Sequence, residues 1–224
     1  MKTASSLKKR KIQLVIFDLD GTLMDAYGPV ARSINYTMKK MGLPLMGHKT
    51  IRKNVGWGVK HLVANFVGPE KIDKAITIYR RHHKESLKRG TKLLAGAKRL
   101  LTYLKKNEYK IAVASNRPQR FSMIAIKHLR IDKYFDYVLC ADRVKRPKPY
   151  PDILKDILKK FSLKKDQALY IGDMTVDMET GKRAGVKTIA VVGGSSTKKE
   201  IQKFKPFRIV SHVYEVASIV KAFG

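Results

Sequence analysis

Five aspartates stand out because they gather in two short segments of a chain that has few acidic residues. Only 18 of its 224 residues are Asp or Glu, against 48 Lys and Arg. The clustered residues are Asp18, Asp20, Asp25, Asp173 and Asp177. Each cluster directly follows an apolar run that predicts a buried strand. Such clustering in so basic a chain indicates that the carboxylates share a task.

The first cluster predicts a pair of carboxylates at the tip of a strand. Side chains two residues apart in extended backbone point to one side, so Asp18 and Asp20 should lie together, and Gly21 lets the chain turn sharply. Repulsion between the two carboxylates would raise the pKa of one of them unless a cation lies between them. Several carboxylates with water and a phosphate oxygen form the ligand set of a Mg²⁺ site. Asp173 can complete that set, and Asp177, one helical turn later, can brace it.

Strand and helix signals alternate along most of the chain. Short apolar, β-branched runs lie at 12–17, 110–115, 136–140, 167–171 and 187–192, with a shorter one at 208–210. The five longer runs are too short for a helix and too continuous for a half-exposed strand, which is typical of strands buried in a parallel sheet. Between most of them, apolar residues recur every three or four positions, as in amphipathic helices. This alternation predicts an α/β fold with a doubly wound parallel sheet.

One long segment, from 25 to 90, interrupts the alternation. Strand signals vanish there, and helical spacing appears, for example at Val30 and Ile34. A crossover between parallel strands needs far fewer residues. We therefore predict a core formed by 1–24 and 91–224, and an all-helical cap at 25–90 that covers the carboxyl edge of the sheet. Open α/β sheets bind their ligands at that edge.

Four short motifs resemble those of the haloacid dehalogenase (HAD) superfamily, in the order that the superfamily has them. They are Asp18-Leu19-Asp20-Gly21-Thr22, Ser115-Asn116 after an apolar run, Lys148-Pro149, and Gly172-Asp173 with Asp177. One such motif often arises by chance, but four in order are specific. The likeness spans residues 12–195, and the helical insert is similar to the C1 cap of the group that contains phosphoglycolate phosphatases. It implies a HAD-like Rossmannoid core.

The resemblance also implies an activity and a set of site residues. The activity is that of a Mg²⁺-dependent phosphatase, which hydrolyses a small phosphate monoester through an aspartyl phosphate. Asp18 would be the nucleophile, Asp20 the general acid and base, and Lys148 the cation that offsets repulsion between carboxylate and phosphate. The implied substrate-binding residues are Gly21, Thr22, Ser115, Asn116 and Arg117. The implied metal ligands are Asp18, Asp20 through its backbone carbonyl, and Asp173, with Asp177 behind them.

The sequence leaves the leaving group open. Ala26 stands where phosphoglycolate phosphatases usually have a serine, and Ala95 replaces a common proline before Gly96. The alternatives within the superfamily are a pyrophosphatase and a β-phosphoglucomutase-type phosphotransferase. The cap has no Arg-Gly element matching that of a mutase, which lowers the odds of the latter.

The net charge of +30 raises an alternative of another class, a basic nucleic-acid-binding protein. Neutralisation of phosphates by Lys and Arg supplies most non-specific affinity for nucleic acid. However, 14 of the 64 residues at 27–90 are Lys or Arg, as are 34 of the other 160, so their density is nearly uniform. A dedicated nucleic-acid surface should be denser. We therefore favour a generally basic surface that captures small anions quickly.

The remaining sequence features predict a cytoplasmic protein with a small-molecule partner. The one cysteine, Cys140, lies in an apolar run, which favours a buried thiol and a reducing compartment. No stretch is long enough to span a membrane, and we expect a monomer or homodimer. Four histidines of the cap lack the spacing of a zinc site, which favours solvated helix surface. They are His48, His61, His82 and His83.

Overall fold

The computed structural model describes residues 11–223, in which eight strands and ten α-helices follow one another. The strands are β1 (Leu14–Phe17), β2 (Met24–Asp25), β3 (Lys92–Leu93), β4 (Lys110–Ser115), β5 (Tyr137–Cys140), β6 (Ala168–Gly172), β7 (Lys187–Val191) and β8 (Arg208–Val210). The helices are α1 (Tyr27–Lys40), α2 (His48–Lys53), α3 (Val59–Ala64), α4 (Ile72–Lys88), α5 (Ala97–Lys106), α6 (Gln119–His128), α7 (Asp152–Phe161), α8 (Thr175–Ala184), α9 (Lys198–Gln202) and α10 (Val216–Lys221). The predicted core residues 1–10 and 224 lie outside the described part.

Six of the strands form one parallel sheet in the order β5-β4-β1-β6-β7-β8. From β1 the chain builds outward through β4 and β5, then returns to the other side of β1 with β6, β7 and β8. The strand order therefore reverses beside β1, and open α/β sheets bind ligands in the crevice at such a switch point. All six predicted strands are confirmed, with bounds that agree within two residues.

Alternate residues of the buried strands pack on opposite faces of the sheet, as the period of two requires. In β1, Val15 and Phe17 join a core with α5, α6 and α10, whereas Leu14 and Ile16 join a core with α7. Both faces are covered, which explains why the strands are continuously apolar. The predicted doubly wound α/β fold is confirmed.

Helices α1 to α4 form the predicted insert, which lies between β1 and β4 of the six-stranded sheet in chain order. Val30, Ile34 and Met38 of α1 pack with Ala75 and Tyr79 of α4 in a hydrophobic cluster of the insert's own. A helical insert is thus confirmed. The division of the chain into domains at 25 and 90 stays a prediction.

A two-stranded ribbon that the sequence did not predict forms the stem of the insert. Strand β2 pairs with β3 in antiparallel fashion, with Met24 opposite Leu93 and Asp25 opposite Lys92. The chain therefore leaves and re-enters the core at adjacent points. Among residues 11–223, no helix is both long and apolar enough to cross a bilayer.

Candidate active site

The site lies at the carboxyl edge of the sheet, where Lys148 meets Asp18. Asp18 directly follows β1, and Lys148 lies in the loop before α7. The Nζ atom of Lys148 donates to Asp18 Oδ1 at 2.8 Å and to the carbonyl of Ala114 at 3.2 Å. The side chain of Lys148 is only 2% exposed and that of Asp18 9%. The sequence prediction of a lysine beside the first aspartate is thus matched by a buried ion pair.

The same ammonium group also contacts Asp177, in the first turn of α8. Nζ of Lys148 donates to Asp177 Oδ1 at 2.7 Å, and the hydroxyl of Tyr170 donates to the same oxygen at 2.6 Å. The other oxygen of Asp177 accepts from the amide of Met174 at 3.1 Å. Burial alone would lower the pKa of Lys148, but Asp177 and Asp18 outweigh it and raise that pKa well above its usual value. Lys148 is therefore a buried ammonium ion.

Asp173 stands at the tip of β6 and is fully buried. Its carboxylate accepts from the hydroxyl of Thr22 at 3.2 Å and from the amide of Ser195 at 3.1 Å. The hydroxyl of Tyr27 lies 3.4 Å from the same carboxylate. An ideal Cβ atom built on Gly194 would overlap the carboxyl group of Asp173. The surrounding backbone thus fits closely around this side chain.

Asp18, Asp173 and Asp177 bring carboxylate oxygens within 4.8 Å of one another, in a geometry that could hold a metal ion. Burial raises the pKa of Asp18 to about 7 against the lowering effect of Lys148. Burial, then the charges of Asp177 and Asp18, raises the pKa of Asp173 well above its usual value. One ammonium group does not balance three buried carboxylates, so the residues present fit a divalent cation.

The third carboxylate of this cluster is that of Asp177, whereas the side chain of Asp20 turns to Arg117. Arg117 Nη2 and Nε donate to the two oxygens of Asp20 at 2.6 Å and 2.9 Å. This forked pair is 7% exposed on the arginine side and 14% on the aspartate side. The expectation that Asp20 offers a metal its backbone carbonyl, and keeps its carboxyl group free of the ion, is compatible with this placement.

Ser115 and Asn116 end β4 beside the same loop. The amide side chain of Asn116 donates to the carbonyl oxygens of Lys148 and Gly56, both at 3.0 Å, and its Oδ1 accepts from the amide of Lys148 at 3.0 Å. Asn116 thereby fixes the backbone of the lysine and contacts the helical insert. The hydroxyl of Ser115 accepts from the amide of Arg117 at 3.2 Å.

Gly21 has a φ of 82°, a conformation that favours glycine, at the turn after Asp20. The neighbouring Thr22, predicted to bind substrate, is fully buried, and its hydroxyl donates to Asp173. The structure thus places Gly21 and Thr22 at the site's edge near Asp173.

A cavity lies between the helical insert and the carboxyl edge of the sheet, and most of the polar side chains described above line it. Its floor carries Asp18, Asp20, Asn116, Arg117 and Lys148. Its insert side is mostly apolar, with Val30, Val55, Val59, Leu62 and Tyr79. The cavity is therefore polar at one end and apolar at the other, as pockets for small organic ligands commonly are.

Sequence reasoning missed His83, which lines this cavity, and Tyr170, which contacts Lys148 and Asp177 behind it. The interpretation of the cap histidines as solvated surface is confirmed for His48 and His61, and His82 is half-buried. It is wrong for His83, which is 2% exposed and lines the cavity. The signal was present, since His83 follows Ile76 and Tyr79 at helical spacing on the buried face of α4. Tyr170 was hidden inside the apolar run of β6.

Comparison with known proteins extends over most of the chain. The family model described as haloacid dehalogenase-like hydrolase matches residues 15–191. The chain is 30% identical over 183 residues to a phosphoglycolate phosphatase of Aquifex aeolicus, covering 82% of this chain and 86% of that protein. It is 28% identical over 210 residues to a phosphoglycolate phosphatase of Pseudomonas fluorescens, covering 90% of this chain and 77% of that protein.

Solved structures are similar over nearly the whole length. A haloacid dehalogenase-like family hydrolase from Streptococcus pneumoniae has a TM-score of 0.86 and 26% identity, with 93% of this chain and 98% of that chain covered. A structure described as a predicted phosphoglycolate phosphatase from Haemophilus somnus has a TM-score of 0.88 and 24% identity, with 94% and 99% covered. At 24% identity, the Haemophilus somnus structure supports the fold alone.

Proposed function

Because this chain belongs to the haloacid dehalogenase-like hydrolases, in their phosphatase family, we propose that it is a Mg²⁺-dependent phosphatase acting on a small phosphate monoester. In this proposal Asp18 attacks phosphorus and forms an aspartyl phosphate, which water then hydrolyses. Dividing the reaction in this way suits phosphate monoesters, whose unaided hydrolysis is extremely slow. The single observation that carries the proposal is the buried cluster of Asp18, Asp173 and Asp177, in which Asp18 and Asp177 contact the ammonium group of Lys148.

The position of Asp18 suits a nucleophile. One of its oxygens is bonded to Lys148, and the carboxyl group faces the cavity at the tip of β1. A phosphate dianion approaching a carboxylate is repelled, and a fixed ammonium group beside both reduces that repulsion without having to reorient. Asp177 and Tyr170 hold the ammonium group from behind. Lys148 would thus lower the barrier to attack and also bind the phosphoryl oxygens.

The buried carboxylates suit a divalent cation. Asp18 and Asp173 would be its carboxylate ligands, Asp20 would add a backbone carbonyl, and Asp177 would brace the group from α8. A bound Mg²⁺ would offset the charge of the phosphate and orient it beside Asp18. Thr22 and the amide of Ser195 hold Asp173 in place by hydrogen bonds.

Asp20 is the candidate for proton transfer. Its carboxyl group lines the cavity, two residues along the chain from Asp18, where the leaving oxygen of a substrate would pass. To protonate the leaving alkoxide, Asp20 would carry the proton on one oxygen, released from Arg117, while the other oxygen keeps its bond to Arg117. It would then regain a proton from the attacking water. Arg117 grips its two oxygens and so fixes the orientation of the group. The backbone amides of Gly21 and Asn116, with the hydroxyl of Ser115, would hold the phosphate oxygens.

The leaving group would occupy the apolar end of the cavity, under α1 and α4. The Aquifex and Pseudomonas relatives are named phosphoglycolate phosphatases, and this chain would act on a similarly small ester. Pyrophosphate and sugar phosphates should be tested as substrates beside phosphoglycolate, since the polar end of the cavity would accept the phosphate group of any of them.

Hydrolysis of p-nitrophenyl phosphate tests the proposal directly. The purified chain should release p-nitrophenol with Mg²⁺ and lose that activity in excess EDTA. Asp18→Asn should lose at least about 10³-fold in kcat, because an amide is a poor nucleophile. Asp156→Asn, an exposed aspartate on α7, is the matched control and should keep full activity. An Asp18→Asn variant as active as the control would refute the assignment.

A further inference from the structure

His83 of the helical insert is buried against the arginine that grips Asp20. Its ring is stacked on Tyr79 with centroids 4.7 Å apart and meets the edge of Phe121 at 5.2 Å. Its Nε2 atom faces Arg117 Nη1 at 3.5 Å. The two aromatic contacts account for the packing of His83 without Arg117, so its polar contact with Arg117 needs a separate explanation.

The contact with Arg117 assigns the tautomer of His83, and the contact with Ser33 is compatible with it. Arg117 has donors only, so the Nε2 atom that faces it must offer a lone pair. At the other side of the ring, Nδ1 lies 3.0 Å from the hydroxyl of Ser33, whose hydrogen goes to the carbonyl of Pro29 at 2.9 Å. With the lone pair at Nε2, the neutral ring carries its hydrogen on Nδ1 and can donate it to Ser33. Burial followed by the charge of Arg117 lowers the pKa of His83 well below its usual value.

The contacts form a continuous path from the insert to the core. Ser33 of α1 accepts from His83 of α4, His83 accepts from Arg117, and Arg117 donates twice to Asp20. Arg117 is buried and uses Nε and Nη2 for Asp20, so Nη1 remains to be held from the other side. His83 supplies that hold from the insert, and it fixes the plane of the guanidinium group that orients the carboxyl group.

We infer that His83 is a positioning residue for proton transfer, which acts through Arg117 on Asp20. The inference rests on the proposed phosphatase function and adds to it a contribution of the insert to the chemical step. A misplacement of about 1 Å in a catalytic group can cost about 10²-fold in rate. His83 itself does not exchange a proton with the substrate in this scheme. Its task is to keep Asp20 aimed at the leaving oxygen.

Two aryl phosphates of nearly the same shape separate this role from mere packing. Phenyl phosphate releases a basic phenolate that needs a proton, whereas p-nitrophenyl phosphate releases a weakly basic one that leaves unaided. Loss of aim at Asp20 should therefore lower kcat/KM for phenyl phosphate much more than for p-nitrophenyl phosphate. A general loosening of the cavity would lower both values in proportion.

The variants are chosen to remove or keep the acceptor at Nε2. His83→Phe keeps a ring between Tyr79 and Phe121 but has no acceptor, and His83→Met lacks an acceptor while adapting its shape to the site. His83→Gln places an amide oxygen near the position of Nε2. His82→Phe is the matched control, because His82 also contacts the hydroxyl of Ser33, at 3.1 Å, but stacks on Tyr36 instead of facing Arg117.

We expect His83→Phe and His83→Met to lower kcat/KM for phenyl phosphate about tenfold or more, and that for p-nitrophenyl phosphate less than about threefold. His83→Gln and His82→Phe should stay within about threefold of the wild type on both esters. Equal losses on the two esters in both apolar variants would overturn the inference and leave the phosphatase proposal intact. A wild-type chain that hydrolyses neither ester would overturn both.

Discussion

Replacing Lys148 by methionine should destabilise the protein strongly, and the contacts of its ammonium group give the size of the effect. Nζ bonds Asp18, Asp177, Tyr170 and the carbonyl of Ala114, at distances between 2.7 and 3.2 Å. Methionine has a similar volume, so little packing is lost. The variant instead leaves Asp18 and Asp177 buried with no cation beside them. Removing one partner of a buried ion pair costs about 3–5 kcal/mol.

That cost converts into a large shift of the melting temperature. For a chain of 150–250 residues, each kcal/mol lowers Tm by about 2–4 °C, so Lys148→Met should melt about 6–20 °C below the wild type. The measurement is thermal unfolding followed by circular dichroism in EDTA. Lys145→Met, an exposed lysine three residues earlier in the same loop, should change the free energy of unfolding by less than about 0.5 kcal/mol.

Added Mg²⁺ supplies a second, independent readout. If the cation binds among the same carboxylates, it replaces part of the missing positive charge, and binding to the folded state raises stability by mass action. Tm of Lys148→Met should therefore rise more with Mg²⁺ than that of the wild type. A variant that melts within about 2 °C of the wild type in EDTA would refute the view that Lys148 is the main counter-charge of the cluster.

Four further outcomes are expected. Asp20→Asn should slow hydrolysis of phenyl phosphate by about 10²- to 10⁴-fold in kcat/KM, and a loss below tenfold would remove its role in proton transfer. Gly194→Ala should push Asp173 aside and raise the Mg²⁺ concentration needed for half-maximal activity, whereas Gly47→Ala, where a Cβ meets nothing within 4 Å, should not. Burial raises the pKa of the Cys140 thiol to about 12, so a thiol reagent at pH 8 should label it in denaturant and hardly at all in the folded protein. Burial opposes, but hydrogen bonds from Lys105 and the amide of Ile111 outweigh it and lower the pKa of Asp136. Asp136→Asn should then cost about 1 kcal/mol in urea unfolding at pH 7. The difference should shrink as the pH falls below about 4, where the carboxyl group of the unfolded chain takes up a proton, and vanish only below the lowered pKa of Asp136 in the folded state.

The sheet was predictable because burial on both faces leaves a plain record in the sequence. Residues 111–115 and 168–171 are continuously apolar or small, and no amphipathic helix of that length fits them. The two strands of the stem were not predictable. Met24–Asp25 and Lys92–Leu93 are two residues each, too short to show any period, and they pair across a long loop.

The residues of the candidate site likewise fall into two groups, those that the sequence indicated and those that it did not. Asp18, Asp173 and Lys148 were found because each lies in a motif of recognisable spelling next to a strand or proline. Tyr27 and Ser195 carry no such mark, yet they meet each other at 2.9 Å across 168 positions of sequence and both contact Asp173. Contacts between distant loops depend on how the insert packs on the core, which local spacing does not encode.

His83 lies between these cases. The spacing of Ile76, Tyr79 and His83 already placed its side chain on the buried face of α4. What the sequence did not contain was the identity of the group on the other side, Arg117, because that pairing joins two separate elements. Its burial could have been predicted, whereas its partner could not.

The stem of the insert has a consequence for how such a protein can diversify. Because Met24 pairs with Leu93, the two ends of the insert leave and re-enter the core at adjacent positions. A tight reverse turn in place of residues 26–91 would leave the sheet connectivity unchanged. The helical insert, which in our proposal lies over the leaving group, could therefore be exchanged for another without rebuilding the sheet that carries Asp18 and Asp173.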